Sequence, residues 1–258
     1  MLEDDRWRRL LVPGITAIVG AGGKTTVLER LGVYGQIGNL PIVISSTVPV
    51  EEERVKIKDP FDLILTDDVE KGEAFCISCV KKGKVPFWFY GHEENCYVGL
   101  PASVLEQLKA HHPEWYILVE ADETHNRWLK APEVNEPSLP AGTDTLIGVL
   151  NLQMLGHALT PDRVAGVETA AAIMGRPVGA VVTPALLAKL IKHPCGMFHG
   201  DRGRHILFCT GYDAVQHRMT EALLDDLESL KLEAIVLADG YRETCSIRQY
   251  IGVDSHER

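Results

Sequence analysis

Short runs of consecutive apolar residues recur along the chain at 15–19, 42–44, 61–65, 85–89, 116–119, 145–150, 206–209 and 235–238. Runs such as Ile117-Leu118-Val119 are apolar on successive positions, where a strand with one wet face would alternate. That pattern suits strands of a parallel sheet covered by helices on each side. Helices are predicted between them at 24–31, 103–111, 164–174, 184–192 and 215–230. In the last of these, Leu223, Leu224, Leu227 and Leu230 line one side at helical spacing, leaving Asp225, Asp226 and Glu228 for solvent. The segment 132–140 carries three prolines and no apolar period, which predicts an ordered loop. The expectation is an α/β fold, mainly parallel sheet with helices on both faces. It is read as a single domain over residues 1–258, with room for a smaller C-terminal lobe from about 141.

Composition narrows the class. A 45% hydrophobic fraction with 24% charged residues fits a chain that buries a substantial core. The net charge of −10 argues against a nucleic-acid partner while leaving room for a local basic pocket. The opening Met1-Leu2-Glu3-Asp4-Asp5-Arg6 is acidic where a secretory leader is basic, and Pro13-Gly14 interrupts the apolar stretch that follows. No membrane span and a cytoplasmic location are therefore expected. Six cysteines, mostly inside apolar runs, read as reduced thiols rather than a disulfide scaffold.

The most informative stretch is Ile15-Thr16-Ala17-Ile18-Val19-Gly20-Ala21-Gly22-Gly23-Lys24-Thr25-Thr26. It reads as a strand, a glycine-dense turn and a helix start, the order of a phosphate loop. Glycines allow positive φ and let amide N–H groups approach phosphate oxygens, Lys24 adds a cation, and the helix start adds the positive end of its dipole. Residues Gly20, Ala21, Gly22, Gly23, Lys24, Thr25 and Thr26 are thus the candidate nucleotide cradle, with ATP or GTP as ligand and Thr25 as a ligand of Mg²⁺. Only two residues separate Gly20 from Gly23-Lys24, where the usual form has four. The shortened spacing resembles the loop of Mur ligases and folylpolyglutamate synthetases, which have Asn where Gly22 stands.

Phosphoryl chemistry with Mg²⁺ calls for a carboxylate at the end of a buried strand. The run 116–122 offers Glu120 and Asp122, two apart and so on one side of an extended chain. Either is a candidate to hold the ion or orient the attacking group. Ser45-Ser46-Thr47 ends the second strand, where Thr47 could face the metal or the hydroxyls could simply end the strand through bonds to backbone. Arg127 and Lys130 follow Asp122 and could neutralise developing phosphate charge. Asp213, after the run 206–209, could accept from a guanine edge or cap a turn. Cys76-x2-Cys79 with His92-x3-Cys96 has zinc-knuckle spacing. The intervening 86–90 reads as a buried strand and the first two cysteines as one helix face, so core thiols are expected rather than zinc.

Taken together, Val19 to Thr26, Val119-Glu120-Ala121-Asp122, Leu129-Lys130-Ala131-Pro132 and Glu136-Pro137 resemble the YqeC family of selenium-dependent hydroxylase accessory proteins. The likeness runs from about Pro13 to Gly240. It implies a P-loop nucleotide-binding protein that assists maturation of selenium-dependent molybdenum hydroxylases. In it Gly20, Gly22, Gly23, Lys24 and Thr25 would lie on the nucleotide, and Glu120, Asp122 and Lys130 in the Glu-Ala-Asp and Lys-Ala-Pro signatures. The chain departs from the family where Glu123-Thr124 replaces a usual glycine, where Asn135 replaces His, and where Ala165-Gly166 replaces a basic pair. The leading expectation is a Mg²⁺-dependent nucleoside-triphosphatase. The alternatives are a Mur-type phosphoryl-transfer or ligase enzyme and a non-catalytic nucleotide-responsive module.

Overall fold

A computed structural model describes residues 3–124, 126–133, 135–200, 203–240 and 245–252. The opening Met1-Leu2, used above in reading the first residues, lies outside that set. The helices, in chain order, are α1 (Glu3–Arg8), α2 (Lys24–Ile37), α3 (Val69–Lys81), α4 (Ala102–His111), α5 (Val167–Met174), α6 (Pro184–Lys192) and α7 (His217–Leu227). The first strands are β1 (Gly14–Gly20), β2 (Ile42–Ser46), β3 (Val50–Glu51), β4 (Phe61–Leu65), β5 (Val85–Phe89), β6 (Gly91–Glu93), β7 (Cys96–Val98) and β8 (Tyr116–Glu120). They are followed by β9 (Leu129–Lys130), β10 (Thr143–Asn151), β11 (Val164–Ala165), β12 (Arg204–Thr210), β13 (Ala234–Asp239) and β14 (Ser246–Gly252). No helix among the described residues is long and apolar enough to cross a membrane.

Two compact units share the chain. The first comprises Met1–Ile18, Val27–Glu123 and Ser138–Thr145; the second comprises Val19–Thr26, Thr124–Pro137 and Leu146–Arg258. In the first, parallel strands run in the order β1-β8-β2-β5-β4. Residues of β2 alternate between its two faces. Val43 faces a core with Cys76 of α3, Leu105 and Leu108 of α4, and Ile15, Ile117 and Val119 of the sheet. Ile42 and Ile44 face the other way, where Gly35 and Gly32 of α2 come close enough that a Cβ would meet their side chains at 2.5 and 2.9 Å. Helices therefore cover both faces of this sheet, as the doubly apolar runs predict. A small antiparallel sheet, β3-β7-β6, completes the unit.

In the second unit β12 and β13 pair in parallel and β14 is antiparallel to β13. The core joins Leu150 and Leu152, Leu207 and Cys209 with Ala170, Leu187, Leu190, Leu223 and Leu227 from α5, α6 and α7. Helix α6 starts where the sequence places it: Pro184 takes the first turn and the Thr183 hydroxyl accepts from the Leu186 amide at 3.4 Å. Residues 164–174 are not one helix. Val164-Ala165 pairs with β9, Gly166 turns left-handed, and α5 begins only at Val167. Helix α2 runs past 31 to Ile37 because Gly32 and Gly35, poor helix formers, are where it touches the sheet.

Helix α3 is absent from the sequence expectation as a full element. Gly72, Cys76 and Cys79 are its buried positions, a thin apolar signal, and its start is marked by Asp68, whose carboxylate accepts from the Lys71 amide at 3.0 Å. Burial pushes the Cys76 thiol well up from its ordinary value and that of Cys79 up to about 11, the nearby Asp62 carboxylate adding to the latter. Burial raises that of Cys209 as well. A raised pKa leaves the protonated, unreactive thiol at neutral pH. At pH 8 the native protein should therefore expose Cys195, and more slowly Cys96, to a disulfide reagent, while Cys76, Cys79, Cys209 and Cys245 react only on unfolding. A thiol titration in which four or more react at once without denaturant would contradict this packing.

Candidate phosphate loop and carboxylate strand end

In the second unit the loop that ends β1 turns on Gly20 (φ 92°), Gly22 (φ 83°) and Gly23 (φ 132°), all in the region that side chains rarely adopt. Space demands glycine as strongly as φ does. A Cβ on Gly20 would lie 2.1 Å from the Val149 carbonyl oxygen, and one on Gly22 would lie 2.5 Å from Cβ of Asn151. The Ala21 amide donates to the Val149 oxygen at 2.9 Å, so this amide ties the loop to β10 and is not the one turned to a ligand. The Thr210 hydroxyl donates to the Gly22 carbonyl at 2.6 Å, fixing the loop from β12.

Helix α2 opens at Lys24, with no acidic residue in its first turn to offset the positive dipole end. Lys24 is buried, 1% exposed, and its Nζ donates to the Thr124 hydroxyl at 3.3 Å. Thr25 and Thr26 follow half-buried. A buried ammonium, left-handed glycines and an unneutralised helix start together fit a polyphosphate. Thr124, the partner of the Lys24 ammonium, carries no motif signal of its own in the sequence.

Three other candidates of this unit have local duties. Lys130 donates to Glu136 Oε1 at 2.7 Å, and the other carboxylate oxygen accepts from the Glu133 amide at 3.1 Å. The Lys-Ala-Pro and Glu-Pro signatures are therefore joined by an ion pair that closes the loop 131–136. Asp213 accepts from the Gly240 amide at 2.7 Å, tying the turn after β12 to the end of β13, which matches the turn reading of that residue. Arg127 donates to the Pro161 carbonyl at 2.7 Å.

In the first unit Glu120 ends β8 between β1 and β2, in register with Ile18 on one side and Ser46 on the other. Glu120 and Asp122 are both buried. Arg54, from the 3-10 turn Glu52–Arg54, donates to Glu120 Oε1 at 3.2 Å. Nothing in its charged surroundings, Glu51-Glu52-Glu53-Arg54, distinguishes this arginine in sequence. The hydroxyls after β2 bond to backbone: Ser45 to the Trp88 carbonyl at 2.7 Å, Ser46 to the Glu120 carbonyl at 2.9 Å and Thr47 to the Ser138 carbonyl at 2.6 Å. Thr47 keeps lone pairs for a metal while doing so. Cys76 and Cys79 lie on the buried side of α3, and His92 and Cys96 on the sheet β3-β7-β6, with His92 Nε2 3.2 Å from Glu52. Among the described residues no group of three or more His, Cys, Asp or Glu is placed to hold a metal.

A parallel strand runs into a glycine turn and a helix headed by a buried lysine, the order of elements that the sequence leads one to expect of a phosphate loop in an α/β protein. The family model described as YqeC protein matches residues 16–168, more than half of the chain, and the chain belongs to that family. The Uncharacterized protein YqeC of Escherichia coli (strain K12) is 27% identical over 253 residues, covering 93% of this chain and 92% of the relative. The solved structure of chloroplast FtsY from Physcomitrella patens overlaps 96% of this chain and 70% of its own, with a TM-score of 0.43 and 13% identity.

If the Lys130–Glu136 pair closes its loop as the geometry indicates, Lys130→Met should lower stability by about 2 kcal/mol, since it strands a half-buried carboxylate. Urea unfolding checks this, and an unchanged midpoint would remove the clasp.

Proposed function

We propose that this protein binds a nucleoside triphosphate, ATP or GTP, with Mg²⁺ and hydrolyses it. The observation that carries the reading is the glycine turn at the start of α2 with the buried Lys24 ammonium beside it. In this reading Gly20, Gly22, Gly23, Lys24, Thr25 and Thr26 seat the phosphates. Thr25 is the loop residue whose hydroxyl would ligate Mg²⁺, and Thr47, Glu120 and Asp122 are the first unit's own candidate oxygen ligands. When bound, the ion would neutralise charge on the phosphate oxygens, with the nucleoside diphosphate as leaving group. Lys24 holds the phosphate tail by charge-assisted hydrogen bonds. A carboxylate of the 120–122 segment orients the attacking water.

A second reading, a nucleotide-responsive module without turnover, is favoured by the Arg54–Glu120 ion pair, which already engages one of the two carboxylates. Phosphate release separates the two. Membership in the YqeC family supports the finer proposal, that nucleotide state governs assistance to a selenium-dependent molybdenum hydroxylase during its maturation.

Wild type should bind a fluorescent nucleoside triphosphate in the presence of Mg²⁺, and Lys24→Ala should weaken binding by about tenfold or more with an unchanged circular dichroism spectrum. Equal affinity in the folded variant would discard the cradle. The accessory role predicts co-elution with a purified hydroxylase apoprotein in one nucleotide state and not the other; failure to co-elute in either state would remove it.

A further inference from the structure

Asn151 is the last residue of β10 and is fully buried. Its Oδ1 accepts from the Gln153 amide at 2.9 Å, capping the 3-10 turn Leu152–Met154. Its Nδ2, equally buried, has no hydrogen-bond partner among the described residues. The cap fixes which end of the amide is which, because a flip would set Nδ2 against the Gln153 N–H. Asp would serve the same cap with acceptor oxygens alone, and Ser or Thr without an NH₂. The amide adds a donor that the fold leaves unused, and a buried donor without an acceptor is costly.

The position of this side chain says what the donor is for. Its Cβ stands where a Cβ on Gly22 would approach to 2.5 Å, and its Oδ1 where a Cβ on Gly211 would approach to 2.5 Å. Asn151 is thus packed against the middle of the phosphate loop, and glycine on both sides leaves it room. The Gly22 carbonyl is taken by the Thr210 hydroxyl, so the loop's own acceptor at this point is already engaged.

We propose that Asn151 is a ligand-binding residue, whose Nδ2 donates to an acceptor atom of the nucleotide seated on the loop. This rests on the nucleotide-binding reading above and adds a contact from β10 that the loop motif does not contain. The acceptor is a phosphate oxygen or an oxygen or nitrogen of the nucleoside.

The test compares full-length wild type with Asn151→Ser, which keeps a capping oxygen and removes the amide NH₂. Each is titrated with fluorescent ATP and GTP analogues and Mg²⁺, and with inorganic tripolyphosphate as competitor. Nucleotide affinity should fall about tenfold or more in the variant with its circular dichroism retained. An equal fall for tripolyphosphate assigns the acceptor to a phosphate, and a fall confined to nucleotides assigns it to the nucleoside; both support the proposal. Unchanged nucleotide affinity overturns it. Should Asn151→Ser not fold, the side-chain NH₂ signals of Asn151 in ¹⁵N-labelled wild type decide: they should move on nucleotide addition, and signals that stay in place overturn the proposal. Wild type that binds neither nucleotide nor tripolyphosphate would bring down the phosphate-loop reading itself, whereas equal binding by wild type and variant brings down only the role of Asn151.

Discussion

A backbone that must pass within about 3 Å of its neighbours leaves no room for a side chain, and the turn after β1 is built under that constraint. At Gly20 and Gly22 a single added carbon would collide with Val149 and Asn151. The consequence is a loop whose path is set by contact with β10 rather than by its own torsional preferences. It is held further by the Ala21 amide on Val149 and the Thr210 hydroxyl on the Gly22 carbonyl. A ligand meeting such a loop does not have to order it first, which is the sense in which a cradle is preorganised.

The strand end that carries the carboxylates is stiffened in a different way. Ser45, Ser46 and Thr47 all donate their hydroxyls to main-chain carbonyls, and the Thr47 amide donates to the Glu120 carbonyl at 3.0 Å. Polar side chains here serve as ties for main-chain oxygens that the parallel ladder leaves over. Glu120 then presents its carboxylate from a fixed main chain, with Arg54 balancing the charge at 3.2 Å.

Much of this was legible in the chain because it rests on local signals. Doubly apolar runs located the strands, and Gly20 to Lys24 located the turn, since both depend on residue type and spacing alone. What was not legible depends on who meets whom. Lys130 and Glu136 belong to two separate signatures, and only folding shows that they form a pair. Thr124 and Arg54 carry no periodic or motif signal, and their partners are distant in sequence. The strand Ser246–Gly252 carries no clear apolar run, because its buried residues are too few: Ile247 is buried whereas Ile251 is 41% exposed. Asn151 follows the apolar run 145–150 without any motif of its own, and only the fold leaves its amide Nδ2 buried without a partner among the described residues.

The two units are interleaved along the chain, each drawing on three separate stretches. No single cut can liberate either one whole. A piece beginning at Leu146 would retain β12, β13 and β14 yet lack Val19–Thr26 and Thr124–Pro137, so it would keep a core and lose the glycine turn. Proteolytic fragments and truncations of this protein are thus poor surrogates for its parts.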